Sequence, residues 1–182
     1  MQGLIIGRFQ PVHNGHVELL KEVDEMGLEK LILGIGEEGK GRNPRNPFYF
    51  DEITQMWLPE LKKLATPAEL YKIPDIGDDE DYAAYVEKIT SCNEQNTILV
   101  SGNDYTVDCF TNYGRNYKTK TPTRQIQLEN KDYLCATRIR QWMANDGLWK
   151  EYVPESTAYV IEKTNGIYVV KYMRDEYEKQ CA

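Results

Sequence analysis

Short apolar runs alternate with helix-patterned stretches along this chain, and that alternation restricts it to few folds. Residues 4–7 (Leu-Ile-Ile-Gly), 30–36 (Lys-Leu-Ile-Leu-Gly-Ile-Gly), 70–73 and 97–101 read as buried strands, and 124–128 as a fifth. Between them apolar residues recur at helical spacing, as at Val17, Leu20 and Val23 within 16–26, which Gly27 ends. Helices are also predicted over 50–64, 82–90, 136–145 and 155–163. A Gly-, Pro- and Asn-rich loop is expected over 37–47, an acidic loop over 75–81, and a short apolar run at 167–170. Strands separated by crossovers of this length pair in parallel, with right-handed connections. The expected fold is therefore α/β, a Rossmann-like open parallel sheet of about five strands with helices on both faces. A small C-terminal helical segment over about 136–182 is expected to lie on it. With no repeat, linker or composition break in 182 residues, the chain is expected to form one domain over 1–182.

The charge balance narrows the partners. Twenty-two Lys and Arg against 29 Asp and Glu leave a formal −7, whereas a polymeric nucleic acid calls for a basic face. No apolar run approaches the roughly 20 residues of a bilayer span. The N-terminus shows neither the basic stretch nor the cleavage site of a signal peptide. Cys92, Cys109, Cys135 and Cys181 are scattered without a Cys-x-x-Cys pair, so a reducing cytoplasm is the expected setting.

Two glycine-rich matches in the second strand and its loop fail on physical grounds. Gly34-Ile35-Gly36-Glu37-Glu38-Gly39 fits G-x-G-x-x-G, yet Lys40-Gly41-Arg42-Asn43-Pro44-Arg45-Asn46-Pro47 cannot open the helix that would face a pyrophosphate. Gly34 to Gly41 nearly fits a P-loop but has Gly41 where a hydroxyl must meet Mg²⁺. What remains is a loop carrying Lys40, Arg42 and Arg45, read either as a solvated basic loop or as a lid over phosphate.

The two histidines are the informative pair. His13 and His16 flank Asn14-Gly15 just after the first strand, in Gly7-Arg8-Phe9-Gln10-Pro11-Val12-His13-Asn14-Gly15-His16. No further His and no nearby Cys accompany them, so a metal pair is not expected. Residues beyond the carboxyl end of a strand line the crevice where open α/β sheets bind ligands. A helix starting near 14–16 presents unpaired N–H groups there, and Gly15 allows a close backbone approach. Two imidazoles can donate to phosphoryl oxygens as charge builds, and Arg8 adds a fixed positive charge.

These residues carry a resemblance. Gly7-Arg8-Phe9-Gln10-Pro11 followed by His13-x-Gly15-His16 resembles the H-x-G-H nucleotidyltransferase superfamily, whose second motif, [ST]-x-T-x-x-R, is matched at Thr137 and Arg140 of Cys135-Ala136-Thr137-Arg138-Ile139-Arg140. Over nearly its whole length the chain is similar to the archaeal-type nicotinamide-nucleotide adenylyltransferases. The matches include Arg45-Asn46-Pro47-Phe48, Ser101-Gly102-Asn103, Asp146-Gly147-Leu148-Trp149, Pro154-Glu155-Ser156 and Asn165-Gly166. The resemblance implies transfer of AMP from ATP to nicotinamide mononucleotide (NMN), with Mg²⁺, giving NAD and pyrophosphate without a covalent intermediate. It implies an ATP site of Gly7, Arg8, Phe9, Gln10, His13, Gly15, His16, Gly102, Asn103, Thr137, Ile139 and Arg140. His13, His16, Arg8, Arg45 and Arg140 are implied as the catalytic set, and Phe48, Asp75 and Tyr85 as the NMN site. It also implies a homo-oligomer, often a hexamer. After residue 170 no acidic box of a fused Nudix hydrolase is expected.

The sequence departs from the family at three places. Cys135 replaces a hydroxyl residue, and a thiol is the weaker donor. Asp51-Glu52-Ile53 stands where the family has Gly-Glu-Arg, and Tyr85 stands for a base-stacking Trp, a role its ring can also fill. Alternatives at this level are another acceptor (pantetheine phosphate, FMN or a CTP-dependent alcohol phosphate) or a nucleotide-binding regulatory module without turnover.

Overall fold

The computed structural model describes residues 1–37 and 41–181. In chain order these form β1 (Gln2–Gly7), α1 (Asn14–Asp24), β2 (Lys30–Glu37), α2 (Phe50–Leu61), β3 (Ala68–Pro74), α3 (Asp79–Thr90), β4 (Thr97–Val100), α4 (Asp104–Thr111), β5 (Lys118–Lys120), α5 (Ala136–Ala144), α6 (Glu155–Lys163) and α7 (Gly166–Cys181). A 3₁₀ turn, Trp149–Tyr152, precedes α6. Two compact units emerge, one of Met1–Gly7, Leu19–Gly39 and Leu64–Arg124, the other of Arg8–Glu18, Lys40–Lys63 and Gln125–Ala182. No helix among the described residues is long and apolar enough to cross a membrane.

The first unit is built on the expected five-stranded sheet, in the order β3-β2-β1-β4-β5, every neighbouring pair parallel. The chain winds outward from β1 to β3, then returns to place β4 on the other side of β1. That reversal leaves a switch point between β1 and β4, the place where such sheets open a ligand crevice at their carboxyl ends. Gly7 ends β1 there, and Val100 ends β4. Leu4, Ile32, Ile73 and Leu99 supply the strand side of a core completed by Ala83 and Val86 of α3 and Cys109 and Phe110 of α4. Gly34 is needed for packing in this sheet: a Cβ there would stand 3.0 Å from Ile73 and 3.2 Å from Ile6.

Three elements of this unit differ from expectation. The fifth strand is Lys118–Lys120, whereas 124–128 yields only an isolated antiparallel bridge between Gln127 and Tyr133. Lys-Thr-Lys carries no apolar signal, so periodicity overlooks it. The N–H groups of Thr123 and Arg124 are meanwhile taken by Glu22 at 2.8 and 3.1 Å. α3 begins at Asp79, because Asp78 caps it by accepting from the N–H groups of Glu80 and Asp81, and acids in a first turn favour the positive dipole end. The acidic loop thus ends in a helix. α4 was not anticipated. Its cap is Asn103, whose side chain accepts from the Tyr105 N–H at 3.0 Å.

In the second unit α2 buries Ile53, Met56 and Trp57, α5 buries Ile139 and Met143, and α6 buries Val160 and Ile161. Ser156 Oγ ties α6 to α2, donating to the Met56 carbonyl at 2.9 Å and bonding Glu60 at 3.2 Å. The apolar run at 167–170 belongs to α7, whose start lies against Phe48: a Cβ on Gly166 would meet that ring at 2.9 Å.

Glu22 holds the turn after β5 to α1, since Lys120 Nζ joins the two N–H donors at 3.0 Å. Burial alone raises this carboxyl, but the Thr123 N–H, the Lys120 ammonium and the Arg124 N–H outweigh it and draw the pKa from 4.5 down to about 2. The stability so gained is present above pH 4.5 and is lost as pH falls toward 2. Glu22→Gln is therefore expected to destabilise the fold by about 2 kcal/mol at neutral pH, because three donors lose a charged acceptor. In urea titrations the gap between variant and parent should shrink below pH 4.5; a gap independent of pH contradicts this account.

Candidate active site

The turn after β1 gathers the first motif in the second unit. Phe9 is buried and has a left-handed backbone (φ 52°), a conformation that costs a bulky residue about 1–3 kcal/mol and persists only where the surroundings enforce it. Gln10 is one enforcing contact. Its amide clamps the backbone of Phe48, Nε2 donating to the Phe48 carbonyl and Oε1 accepting the Phe48 N–H, both at 2.9 Å.

His13 sits at the N-cap of α1, its carbonyl accepting from the N–H groups of His16 (2.8 Å) and Val17 (3.3 Å). His16 falls at N3, and its Nδ1 accepts the His13 backbone N–H at 3.2 Å. This is the returning half of a capping box, with an imidazole where Glu or Gln usually reaches back. The motif's three-residue spacing is the distance from N-cap to N3. A backbone N–H can only donate, so Nδ1 of His16 must present its lone pair and the ring proton must reside on Nε2. The two rings stack, centroids 3.6 Å apart and 20° from parallel. A Cβ on Gly15 would stand 3.1 Å from His13 Nδ1 and Cε1, so this glycine makes room for the His13 ring.

Both rings are neutral near pH 7. Burial lowers His13 to about 4, and burial together with repulsion from His13 takes His16 well below 6.5. His13 Nδ1 is buried without a hydrogen-bond partner among the described residues. Neutral, desolvated imidazoles at a helix N-terminus are donors prepared for an anion.

The second motif meets the first through Arg140, whose guanidinium donates to the Gln10 carbonyl at 2.6 Å and to Thr137 Oγ1 at 3.2 Å. Its pKa is lowered by burial and by repulsion from Arg8 and Arg45, so the three cations share a neighbourhood. Asn43 shapes the loop that presents exposed Arg45, accepting the N–H groups of Arg45 and Asn46 at 3.0 Å each. Arg42 does not reach out from that loop. It pairs with Glu52 at 2.8 Å, donates to the Pro47 carbonyl at 2.7 Å and stacks on Tyr49 at 4.3 Å. Lys40, the third cation of the expected lid, lies outside the described residues. Arg138 is paired with Asp132 at 2.9 Å. Phe48 and Ile139 are buried, the latter fully. Exposed Cys135 occupies the N-cap of α5 and makes no side-chain cap bond, as expected of a weak acceptor replacing a hydroxyl.

The remaining expected residues lie in the first unit. Gly7 closes β1, paired in register with Ile35. Gly102 and Asn103 follow β4, and Ser101 Oγ fixes that turn by accepting the Asn103 N–H at 3.1 Å. Asp75 accepts the Gly77 N–H at 2.9 Å, and Tyr85 is half-buried against the core. Tyr82, which the sequence did not single out, connects them: its hydroxyl is pushed up to about 12 by burial, then by Cys109, Asp75 and Tyr85. Trp57 was also missed. Its stripe with Ile53 and Met56 reads as helix core, and nothing in that pattern reveals that its indole lies 6.0 Å from the His16 ring. Among the described residues no group of three or more His, Cys, Asp or Glu could hold a metal ion.

Comparison with known proteins follows the same line. Residues 4–167 match the cytidylyltransferase-like family. The nicotinamide-nucleotide adenylyltransferase of Thermococcus sibiricus is 35% identical, over 98% of this chain and 92% of that protein. The protein of the same name from Methanococcus aeolicus is 33% identical over 91% of each. A bifunctional NMN adenylyltransferase/ADP ribose pyrophosphatase from Francisella tularensis, complexed with AMP and a Mn ion, shares the fold (TM-score 0.68, 20% identity). The match covers 98% of this chain and 55% of that one. The nicotinic acid mononucleotide adenylyltransferase of Plasmodium falciparum also shares it, with TM-score 0.59 and 11% identity over 92% of this chain and 97% of that one.

Histidines held neutral weaken the fold in acid. Unfolded imidazoles take up protons near pH 6.5, whereas folded His13 waits until about 4 and His16 is likewise held well below its ordinary value. Stability is therefore expected to fall from pH 6.5 toward 4, by up to about 1.4 kcal/mol per pH unit for each ring. In melts at pH 7, 6 and 5, the double variant His13→Asn/His16→Asn should show a shallower decline than the parent. Parallel slopes contradict the assignment.

Proposed function

Since the chain belongs to the cytidylyltransferase-like family, we propose that it is a nicotinamide-nucleotide adenylyltransferase, transferring AMP from ATP to NMN to give NAD and pyrophosphate. The observation that carries this reading is the neutral His13–His16 pair at the N-terminus of α1, in the unit where Arg8, Arg45 and Arg140 repel one another. Such a site suits an anion with several charged oxygens. The names of the archaeal relatives supply the acceptor.

In this proposal a 5′-phosphate oxygen of NMN forms the new bond to the α-phosphorus of ATP. The bond from that phosphorus to the bridging oxygen breaks, and pyrophosphate leaves with the electron pair. The protein contributes position and charge, which suffice for phosphoryl chemistry. His16 donates its Nε2–H to an α-phosphate oxygen, where charge grows in the transition state. His13 and the first N–H groups of α1 bind the neighbouring phosphates. Arg8, Arg45 and Arg140 neutralise the triphosphate, with Thr137 bracing Arg140. Gly7, Phe9, Gln10, Gly15 and Ile139 are assigned to the ATP site with them. Gly102 and Asn103 are assigned to adenosine. Phe48, Asp75 and Tyr85 are assigned to NMN. Mg²⁺ enters as part of the substrate, MgATP, on phosphate oxygens and retained waters.

The family match runs across both units, which supports reading the chain as one catalytic domain over 1–182. Free thiols at Cys92, Cys109 and Cys135 support a reducing cytoplasm as its setting. A homo-oligomer, a hexamer by resemblance, completes the proposal.

Purified protein given MgATP and NMN is expected to form NAD and pyrophosphate, and pantetheine phosphate or FMN in place of NMN is expected to release little pyrophosphate. His16→Ala is expected to lower kcat by on the order of 10²–10³, as loss of a transition-state donor does, in a protein that still folds, its melt lowered only by the lost cap. NAD synthesis at the parental rate by that variant overturns the role of His16, and faster turnover of another acceptor overturns the substrate.

A further inference from the structure

Trp57 lies on the buried stripe of α2 and is 1% exposed, yet its indole N–H finds no hydrogen-bond partner among the described residues. A buried donor left unpaired works against the fold, and Leu or Phe would fill a core position without that penalty. What the indole supplies is a broad rigid wall. The Phe9 ring stands edge-on to it, centroids 5.0 Å apart at 87°. Phe9 is edge-on to His16 in turn, at 5.0 Å and 82°. The indole also meets His16 directly, at 6.0 Å and a tilt of 50°. The two edge-on geometries are favoured ones for aromatic pairs. Trp57 and Phe9 thus form a corner around the imidazole.

We propose that Trp57 is a positioning residue for adenylyl transfer: with Phe9 it fixes the plane of the His16 imidazole, which the His13 N–H already fixes at Nδ1, so that Nε2–H aims at the α-phosphate. This rests on the nucleotidyltransferase reading for the target of Nε2–H, but not for the geometry of the ring. A hydrogen bond at one nitrogen still leaves the ring free to rock about that bond. Contacts with the Phe9 and Trp57 rings remove the rocking. They also keep water from the ring, which maintains its neutral form. The titratable group acting on His16 is His13. Among charged side chains on the flanking elements, Glu52 pairs with Arg42, Glu60 pairs with Lys63, and Arg140 donates to the Gln10 carbonyl.

The test compares Trp57→Leu, which removes the aromatic wall, with Trp57→Phe, which retains an edge for Phe9 and His16. Trp57→Leu is expected to lower kcat about tenfold, the scale of a small misplacement of a catalytic group, with KM for ATP changed less than about threefold. Trp57→Phe should recover most of that kcat. In a His16→Asn background Trp57→Leu should cause little further loss. Independently of activity, the two imidazoles can be followed by NMR in protein without nucleotide, where Trp57→Leu should move the His16 titration upward toward the ordinary 6.5. Should Trp57→Leu fail to fold, the same kinetic and NMR comparison is made on Trp57→Phe, where smaller shifts of the same sign are expected. Unchanged kcat and an unchanged His16 titration in a folded variant overturn the proposal. A shifted titration in a protein that makes no NAD upholds the positioning role and overturns the proposed reaction instead.

Discussion

One hydrogen bond organises the site, the backbone N–H of His13 reaching Nδ1 of His16 at 3.2 Å. It determines which imidazole nitrogen carries the proton, because the donor cannot also accept. It joins the start of α1 to the turn that leaves β1, so the two histidines cannot separate without unwinding the helix. Gly15 allows it by making room for the His13 ring, which a Cβ would crowd at 3.1 Å. Phe9 and Trp57 then limit what the ring can do from its other side. A residue pattern that looks like a catalytic signature is, at the level of the backbone, a helix cap.

The cap also settles the electrostatics. Desolvation keeps His13 and His16 uncharged, so two rings 3.6 Å apart can stack without mutual repulsion. Positive charge is supplied separately by Arg8, Arg45 and Arg140, and the depressed Arg140 registers their crowding. Neutral donors beside crowded cations describe a site for a polyanion of small size. The chain's formal −7 does not conflict with this, since acids are placed at work elsewhere: Asp78 to Asp81 start α3, Glu22 holds the β5 turn, and Glu52 retains Arg42.

Much of this was legible in the sequence because it follows from strong local rules. Alternating apolar runs specify a parallel sheet, and a histidine pair after its first strand marks the switch point. α6 was foreseen over its full observed length, from Glu155 to Lys163. The failures have physical causes. β5 is three polar residues whose strand character comes only from pairing with β4, which no periodicity reveals. α4 depends on one cap, Asn103, in a stretch that otherwise reads as loop. Residue type could not show that Arg42 is committed to Glu52 or that Gln10 grips Phe48, since a charged or amide side chain looks alike whether bound within the protein or offered to a ligand. Trp57 was hidden for the opposite reason: its pattern matches ordinary core, and its significance lies in which rings it meets.

The most direct test of this account is the protonation of His16 in the resting protein. With only two histidines in the chain, nitrogen-15 NMR of the imidazoles can assign both rings without crowding. At pH 7 and without nucleotide, the account predicts a neutral His16 with its proton on Nε2 and an unprotonated Nδ1. A proton on Nδ1, or a fully charged ring, would contradict the cap and with it the donor role assigned to Nε2.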